Sequence, residues 1–321
     1  MKKLNVLITG GAGFIGSHLA EAYLREGHRV VVVDDLSFGK RENVPAEAVF
    51  YQVDIRDRET LAGIFRAEGP ELVSHHAAQM SVKSSTDDPS HDASINVLGL
   101  LNVLELSRRA GVGQLIFSSS GGTVYGEAQT IPSPEDEPLW PRTPYGITKM
   151  VAEHYLRYYG EGGLNWTIFR YGNVYGPRQE PHGEAGVVAI FAQRLLQGLP
   201  VQIHGDGEQV KDYVFVEDVV RANLLATGIP SGRIFNVGAC PVSVNELYTQ
   251  LAALSGATIP PERTPPRYGD IRRSVLDIGL IERELGWKPE VGLPDGLRTT
   301  YEYFKQRIGE GPWENTLAPT E

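Results

Sequence analysis

The chain has 321 residues, and its 41% hydrophobic content is enough to bury the core of one large domain or two modest ones. A formal net charge of -10 excludes the broad basic face that a nucleic-acid backbone requires. The single cysteine, Cys240, excludes an internal disulfide and a cysteine-rich metal site. No run of 18 apolar residues offers a membrane span. The apolar start is broken by glycines and lacks a signal-peptide cleavage site, so we expect a cytoplasmic protein.

The first half of the chain alternates short β-branched runs with helical patterns. The pattern predicts strands at 4–9, 29–34, 49–53, 72–75, 115–119 and 166–171, and helices at 14–27, 58–68, 90–111 and 144–160. The first strand is mostly apolar, as a strand covered on both faces should be. This alternation predicts an α/β fold with a Rossmann-type, doubly wound parallel sheet.

The second half has a different organisation. Helical patterns at 186–198, 216–228, 244–256, 278–285 and 294–307 are separated by turns rich in proline and glycine, with short strands at 200–204 and 233–237. We predict a smaller, mixed α/β lobe that covers the ligand edge of the sheet. The predicted domains are therefore 1–172 and 173–308, with segments that can cross back between them. Residues 309–321 lack periodicity and are expected to form a flexible tail.

A glycine-rich turn joins the first predicted strand to the first helix. Its glycines, Gly10, Gly13 and Gly16, allow a sharp turn and a close approach of backbone to a pyrophosphate, which a Cβ would obstruct. Asp34 ends the second strand, where a carboxylate can accept hydrogen bonds from both adenosine ribose hydroxyls and repels a 2′-phosphate. The pattern predicts NAD rather than NADP as the cofactor. Asp54, at the end of the third strand, is placed to reach the adenine edge.

Tyr145 and Lys149 lie four residues apart at the start of a predicted helix, and they therefore share one face. Such a pair is common by chance, but here it follows a dinucleotide-binding pattern and a strand ending in three serines. Oxidation of a secondary alcohol needs a base, and free tyrosine has a pKa near ~10. Lys149 and a positive nicotinamide ring can lower that pKa, and a shift of about 3 units corresponds to roughly 4 kcal/mol. We expect Tyr145 to be the base.

Three hydroxyls compete for the hydrogen bond to the reacting oxygen. Ser120 lies 25 residues before Tyr145 and is the first choice. Ser119 and Thr123 are the alternatives, because two intervening glycines can shift the register of the chain.

Taken together, these motifs resemble the extended short-chain dehydrogenase/reductase family over about residues 4–305, and within it the bacterial UDP-glucose 4-epimerases. The resemblance also includes His76-Ala77-Ala78, Asn96, the segment RYGNVYGP at 170–177 and Arg267-x-Gly269-Asp270. It implies tightly bound NAD, a UDP-sugar substrate and transient oxidation at sugar C4. Dehydratases and decarboxylases with this fold carry acidic residues just after the serine, whereas this chain has Gly121-Gly122-Thr123.

The resemblance assigns residues to each site. Those implied for the cofactor are Gly10, Gly13, Phe14, Ile15, Gly16, Asp34, Asp54, Ile55, Ala77, Ala78, Gln79, Asn96, Ser118, Ser119, Tyr145, Lys149 and Tyr171. Those implied for the UDP-sugar are Val82, Ser120, Tyr145, Asn173, Val187, Val188, His204, Lys211, Arg267, Asp270 and Ser274. Lys211 stands where the family usually has arginine, so the charge is kept and the bidentate fork is lost.

Several functional expectations follow from the resemblance. The expected activity is the interconversion of UDP-glucose and UDP-galactose. The alternatives are a related NAD-dependent enzyme acting on UDP-N-acetylglucosamine or UDP-glucuronate, and a non-catalytic NAD-binding regulator, which would not need Tyr145 and Lys149. Ser274 is implied to border the sugar C2 substituent, and its small side chain predicts some activity on UDP-N-acetylgalactosamine. His75, His76 and His182 lack a convergent spacing with carboxylates, so we expect no metal site.

The resemblance also implies a homodimer. The helices at 90–111 and 144–160 are similar to those that form a four-helix interface in the family. The apolar side chains that can supply this interface are Leu98, Leu101, Leu104, Tyr155 and Tyr158. Packing within one chain explains the same side chains nearly as well.

Overall fold

The computed structural model describes residues 2–181, 186–229, 232–267 and 269–309. The strands are β1 (Asn5–Thr9), β2 (Arg29–Asp34), β3 (Val49–Gln52), β4 (Leu72–His75), β5 (Gln114–Ser120), β6 (Trp166–Tyr171), β7 (Asn173–Tyr175), β8 (Gln202–His204), β9 (Val210–Phe215), β10 (Arg233–Val237), β11 (Cys240–Ser243), β12 (Glu262–Thr264) and β13 (Arg273–Ser274). Most of the predicted tail lies outside the described residues.

The helices follow the same chain order. They are α1 (Phe14–Arg25), α2 (Arg58–Glu68), α3 (Val82–Asp87), α4 (Pro89–Ala93), α5 (Leu100–Ala110), α6 (Pro144–Glu161), α7 (Val187–Leu196), α8 (Val216–Ala226), α9 (Val244–Ser255), α10 (Gly279–Leu285) and α11 (Leu293–Gly309). A short 3-10 helix spans Arg41–Asn43, and a π-helix spans Ser94–Gly99. Among the helices of the described segments, none is both long and apolar enough to cross a membrane.

Seven parallel strands form one sheet in the order β10-β6-β5-β4-β1-β2-β3. The strand order reverses between β1 and β4, which opens a crevice at the carboxyl ends of these two strands. The predicted Rossmann-type sheet is confirmed. The strand predicted at 233–237 is β10, which pairs with β6 in this sheet, so the chain crosses back from the second half.

Alternate residues of each central strand pack on opposite faces of the large sheet. In β1, Val6 and Ile8 join the cluster that contains helix α1, whereas Leu7 faces the cluster that contains α2, α5 and α6. All three side chains are fully buried. This two-sided burial explains why the strand reads as an unbroken apolar run.

A smaller mixed sheet forms around β9, which pairs with β7, β11 and β13. The sequence pattern did not predict β9, because Lys211 and Asp212 interrupt its apolar residues. Asp212 is nevertheless buried, and its carboxylate accepts hydrogen bonds from the backbone N–H groups of Ala239 and Leu276. A polar residue with backbone donors around it therefore belongs to the interior of this lobe.

The helix predicted over 90–111 is divided in the structure. Pro89 begins the short helix α4, Asp88 caps it by accepting a hydrogen bond from the His91 N–H, and the π-helix follows directly. A Cβ on Gly99, at the end of the π-helix, would lie 2.6 Å from the side chain of Ile55. The close contact at this glycine lets the π-helix pack beside the loop that follows β3.

We predict that Gly16→Ala destabilises the β1–α1 turn. The added Cβ would overlap with the carbonyl oxygen of Gly10 and lie 2.8 Å from Gly11 Cα, so backbone must move. We expect the free energy of unfolding to fall by roughly 1–3 kcal/mol in a urea titration. Gly63→Ala is the matched control, because Gly63 is also helical and its Cβ would have its nearest neighbour at 3.9 Å. An equal loss in both variants would contradict the steric explanation.

Candidate active site

A cavity of about 910 Å³ lies at the carboxyl ends of the central strands. It extends from the β1–α1 turn, past the ends of β4 and β5, to the smaller sheet. With the exceptions of Asn96 and Ser274, all the residues assigned to the two ligands line this cavity. The tertiary structure thus brings both predicted ligand sites into one continuous space.

The glycine-rich turn forms one end of the cavity. Gly10 has a φ of +70°, and its Cβ would lie 2.6 Å from the backbone nitrogen of Ala77, so β1 and the loop after β4 meet here without side chains between them. Gly13 lines the cavity, and the nearest atom to its Cβ position is 3.2 Å away. A Cβ there would fill space that faces a ligand. The turn and the start of α1 therefore fit a pyrophosphate.

Asp34 is held at the end of β2 by two backbone donors. Its carboxylate oxygens accept hydrogen bonds from the N–H groups of Ala12, at 2.9 Å, and Leu36, at 2.8 Å. Burial raises the pKa of this carboxyl, and the two backbone hydrogen bonds oppose that rise. Each oxygen retains a lone pair for a ribose hydroxyl. Asp54 also lines the cavity, and Arg56 lowers the pKa of Asp54 through their ion pair.

Tyr145 and Lys149 both face the cavity from the first turns of α6. Thr143 caps this helix by accepting a hydrogen bond from the Gly146 N–H, and Pro144 occupies its first turn. The Lys149 Nζ lies 5.7 Å from the centroid of the Tyr145 ring and donates a hydrogen bond to the Ser118 carbonyl at 2.8 Å. The lysine therefore joins α6 to β5 as well as facing the tyrosine.

Burial opposes charge on both of these side chains. It raises the pKa of Tyr145 to about 12, with a further rise from the Asp92 charge and a smaller opposing effect of the hydrogen bond with Ser120. It also lowers the pKa of Lys149 to about 8, against the charges of Asp92 and Glu153. We expected Lys149 to lower the pKa of Tyr145. In the protein alone the pKa of Tyr145 is raised instead, because burial and the Asp92 charge both disfavour the phenolate.

The structure distinguishes the three candidate hydroxyls. Ser120 lines the cavity, and its hydroxyl lies close enough to Tyr145 to oppose the rise in the pKa of the phenol. Ser119 also borders the cavity, but it is buried and donates to Glu153 Oε1 at 2.6 Å, so its hydroxyl is directed into the protein. Thr123 lines the cavity, and its hydroxyl makes a long contact of 3.4 Å with the Ser120 carbonyl. This placement favours Ser120, and its assignment as the hydroxyl at the reacting position stays a prediction.

A buried ion pair lies directly behind these residues, and the motif analysis missed it. Glu153 of α6 and Arg170 of β6 form two hydrogen bonds, of 3.0 and 2.7 Å, and each side chain is about 1% exposed. Because Glu153 follows Lys149 by four residues, the spacing of Tyr145 and Lys149 could have revealed it. The pair ties the catalytic helix to β6, and Ser119 ties it to β5.

Asn96 lies behind the cavity wall. It is buried, it accepts a hydrogen bond from the Gln79 backbone N–H at 2.9 Å, and its amide group donates to the Gln79 carbonyl at 2.9 Å. Its amide group also donates to Asp92 Oδ1 at 3.0 Å. Asn96 therefore supports the loop that carries Gln79, which lines the cavity, and its assignment to the cofactor contacts stays a prediction.

The end of the cavity at the smaller sheet is lined by polar side chains, and several of them form ion pairs or hydrogen bonds within the protein. Lys211 forms an ion pair of 2.7 Å with Asp270 and donates to the Ile271 carbonyl. His204 Nδ1 lies 2.7 Å from the Thr264 hydroxyl. The amino end of α7, at Val187 and Val188, also faces this space. These groups can bind a nucleotide diphosphate through a cation, a helix N-terminus and a ribose-binding carboxylate.

Ser274 is placed away from this wall. It lies in β13, where its Cα is the register partner of Lys211, and it does not line the cavity. Its neighbour Arg272 forms an ion pair with Asp206 at the surface. The expectation that the small side chain of Ser274 leaves room for an N-acetyl group stays a prediction.

Several lining residues carry no sequence motif. Phe38, Lys40, Arg142 and Glu180 line the cavity from loops, and Lys40 forms an ion pair with Glu180 at 3.2 Å. Loop residues of this kind approach the cavity through tertiary packing alone. Among the described residues no cluster of histidine, cysteine or acidic side chains could hold a metal ion. His182 lies outside the described residues.

Comparison with known proteins agrees with this geometry. Residues 6–238 match the model of the NAD dependent epimerase/dehydratase family. The chain is 45% identical to a UDP-glucose 4-epimerase of Mycolicibacterium smegmatis, over 95% of this chain and 99% of that one. A UDP-glucose 4-epimerase of Thermotoga maritima, solved with UDP-glucose, has a TM-score of 0.93, 48% identity, and coverage of 94% and 99%. The Thermus thermophilus UDP-glucose 4-epimerase, solved with NAD, has a TM-score of 0.89, 48% identity, and coverage of 94% and 98%.

We predict that Glu153→Gln strongly destabilises the protein. The change removes one partner of a buried ion pair and leaves the Arg170 charge uncompensated, which costs about 3–5 kcal/mol of unfolding free energy. Urea unfolding measures this loss. Glu282→Gln is the control, because Glu282 and Lys288 form an exposed pair that contributes less than about 1 kcal/mol. Similar losses in the two variants would show that the buried pair has no special role.

Proposed function

Because this chain belongs to the NAD dependent epimerase/dehydratase family, we propose that it interconverts UDP-glucose and UDP-galactose by oxidising and then reducing the sugar at C4. The observation that carries this proposal is the placement of Tyr145, Lys149 and Ser120 in the middle of a cavity with a dinucleotide-binding turn at one end. The UDP-glucose 4-epimerases to which the chain is 45–48% identical support the same activity.

NAD is the cofactor that the cavity fits. The β1–α1 turn would hold its pyrophosphate, and Asp34 would hold the adenosine ribose. Further along, Lys149 and the loop of Ala77, Ala78 and Gln79 would face its nicotinamide half. When bound, NAD would accept the hydride from C4, place a positive charge near the phenol, and return the hydride to the opposite face of the sugar.

The chain's own residues would move the proton. The Tyr145 phenolate would accept the proton of the sugar 4-hydroxyl as the C4–H bond breaks, which leaves a ketone at C4. Ser120, hydrogen-bonded to Tyr145, would donate to the same sugar oxygen. In the reverse step Tyr145 would return the proton to that oxygen. Atoms and charge balance over the cycle, so the reaction has no net redox change.

The surroundings of Ser120 favour epimerisation over elimination. Elimination of water requires an acid or base beside the neighbouring carbon. Of the residues that follow Ser120, Gly122 and Thr123 line the cavity, and neither has a carboxylate. The next acidic residue, Glu127, accepts a hydrogen bond from the Arg272 N–H at 3.2 Å and does not line the cavity. The 4-keto sugar would therefore be reduced rather than dehydrated.

The remaining assignments are proposals of the same kind. We retain the cofactor and UDP-sugar residues predicted from the sequence, of which only Asn96 and Ser274 do not line the cavity, and the domains 1–172, 173–308 and 309–321. A single cysteine suits a reducing compartment, which supports a cytoplasmic location.

We propose a homodimer formed by α6 and the π-helix. Leu104 is fully buried and Leu101 packs against the core, so these two residues serve the monomer. Leu98, Ile147 and Tyr158 are 59%, 46% and 66% exposed, and all three lie on these two packed elements. Large apolar side chains that remain exposed on adjacent helices are typical of an interface.

We predict that the purified protein converts UDP-galactose into UDP-glucose without added NAD, as followed by NMR. Tyr145→Phe removes the base and should slow turnover by ~10²–10⁴-fold with folding and NAD content unchanged. Tyr158→Phe is the matched control on the same helix, and its turnover should be normal. Near-normal turnover of Tyr145→Phe would refute the mechanism. Conversion of UDP-N-acetylgalactosamine or UDP-glucuronate, but not of UDP-galactose, would assign the enzyme to another substrate.

We predict that light scattering gives the mass of two chains at micromolar concentration, and that Tyr158→Glu gives the mass of one. A charge at the centre of an apolar interface is costly because it loses its water. Leu254→Glu is the control, since Leu254 is an exposed apolar residue on α9, away from the proposed interface. A wild-type protein with the mass of one chain would exclude the dimer.

A further inference from the structure

Asp92 is a buried carboxylate that the proposed reaction does not use. It lies in the short helix α4 and is fully buried. Its Oδ1 accepts hydrogen bonds from the side-chain amides of Gln79, at 2.8 Å, and Asn96, at 3.0 Å, and its Oδ2 accepts one from the Thr148 hydroxyl at 2.8 Å. All three partners are neutral donors. The hydrogen bonds stabilise the charge without neutralising it.

The three donors connect Asp92 to different parts of the active site. Gln79 belongs to the loop after β4 that lines the cavity. Asn96 holds the backbone of the same loop from the π-helix. Thr148 lies on α6 directly before Lys149, and its hydroxyl also contacts the Tyr145 carbonyl at 3.0 Å. Asp92 is thus fixed in position against the helix that carries the catalytic pair.

The other buried carboxylate near the catalytic pair has a different partner. Glu153 is paired with the Arg170 guanidinium by two hydrogen bonds, so its charge is compensated locally. Asp92 makes no ion pair with a lysine or arginine of the described residues. Lys149, in turn, donates to the Ser118 carbonyl and has no carboxylate partner at ion-pair distance within the part of the chain that is described. The Asp92 carboxylate and the Lys149 ammonium group are therefore buried on two packed helices, α4 and α6, without local compensation among the described residues.

We propose that Asp92 is a positioning residue that acts as the counter-anion of Lys149 and keeps its ammonium group protonated in the desolvated site. The two groups interact through space, with α4 packed against α6. The catalytic consequence rests on the proposed role of Lys149, whereas the charge pairing itself does not depend on which sugar is the substrate.

The electrostatics of the site agree with this pairing. Burial lowers the pKa of Lys149 to about 8, and the Asp92 charge is the largest influence that raises it, ahead of that of Glu153. The other titratable groups near Lys149 are Tyr145, His75 at the end of β4, and His76 directly after it. Burial lowers the pKa values of the two histidines to about 3. The two histidines are neutral throughout the working range of pH. Removal of the Asp92 charge should therefore lower the pKa of Lys149 further.

Loss of Asp92 should also make Tyr145 easier to ionise, because the Asp92 charge raises the pKa of the phenol. The proposed mechanism needs ionised Tyr145 and protonated Lys149. Activity should therefore rise as pH passes the pKa of the tyrosine and fall as pH passes that of the lysine. Without the Asp92 charge, the acidic and the alkaline limit of the active pH range should both move to lower pH.

The first test is the pH dependence of kcat for Asp92→Asn. We expect the acidic and the alkaline limb of the profile both to move to lower pH by roughly one unit. At a given pH on the alkaline limb, kcat relative to its maximum should then be roughly tenfold lower than in the wild type. Asp88→Asn is the matched control, because Asp88 is an exposed carboxylate at the cap of the same helix and asparagine also caps. A lower kcat with unmoved limbs would reduce Asp92 to a structural residue and overturn the proposal.

The second test measures the charge pairing without substrate. Asp92→Asn, Lys149→Met and the double variant form a thermodynamic cycle, read as unfolding temperature. We expect Asp92→Asn to lower the unfolding temperature of the wild type by roughly 5 °C more than it lowers that of Lys149→Met. In the Lys149→Met background Asp92 has lost its cationic partner, so the substitution removes an unpaired anion. Additive effects would overturn the proposal.

The double variant covers the case in which Asp92→Asn alone does not fold. Both charges are then absent, so we expect the double variant to be folded. A double variant that, like Asp92→Asn, does not fold would overturn the proposal. Because no sugar enters this measurement, a wrong substrate assignment would leave the result of the cycle unchanged.

Discussion

The packing of helix α6 against strand β5 is the interaction on which the active site depends. Tyr145, Lys149 and Glu153 recur every four residues and therefore share one face of the helix. Lys149 bonds to the Ser118 carbonyl, and Glu153 accepts a hydrogen bond from Ser119. Two successive residues of β5 thus hold two successive turns of α6, and Ser120 is presented to Tyr145 as a result.

This arrangement places charged groups where water is excluded, and the protein stabilises them in two different ways. The Glu153 carboxylate forms an ion pair with the Arg170 guanidinium. The pair restrains the positions of both side chains, and its opposite charges largely cancel, so it has little electrostatic effect on neighbouring groups. The Asp92 carboxylate is surrounded by neutral donors, and its negative charge acts on both Tyr145 and Lys149. Burial alone would keep the tyrosine protonated and deprotonate the lysine at moderately alkaline pH. The catalytic states therefore depend on the charges around the pair.

Because the chain crosses between the two lobes, both sheets border a single cavity. β10 completes the large sheet next to β6, and β7 pairs with β9 in the smaller sheet only two residues after β6 ends. The ligand-facing ends of both sheets are consequently adjacent. A dinucleotide on the large sheet and a nucleotide sugar on the smaller one would meet at the residues of α6.

The sequence by itself determined the elements whose residues are close along the chain. The glycine turn with Asp34, the four-residue spacing of Tyr145 and Lys149, and the apolar strands of the sheet all follow from local geometry and periodicity. Only the tertiary structure decided that the Ser119 hydroxyl is directed into the protein, because its acceptor, Glu153, belongs to another element. It likewise placed Asn96 against the backbone of the loop that carries Gln79. It also brought Asp92, Thr148 and Gln79 together across distant segments. Such contacts have no periodic signal, since each residue is polar, buried and satisfied by partners that lie far away in the chain.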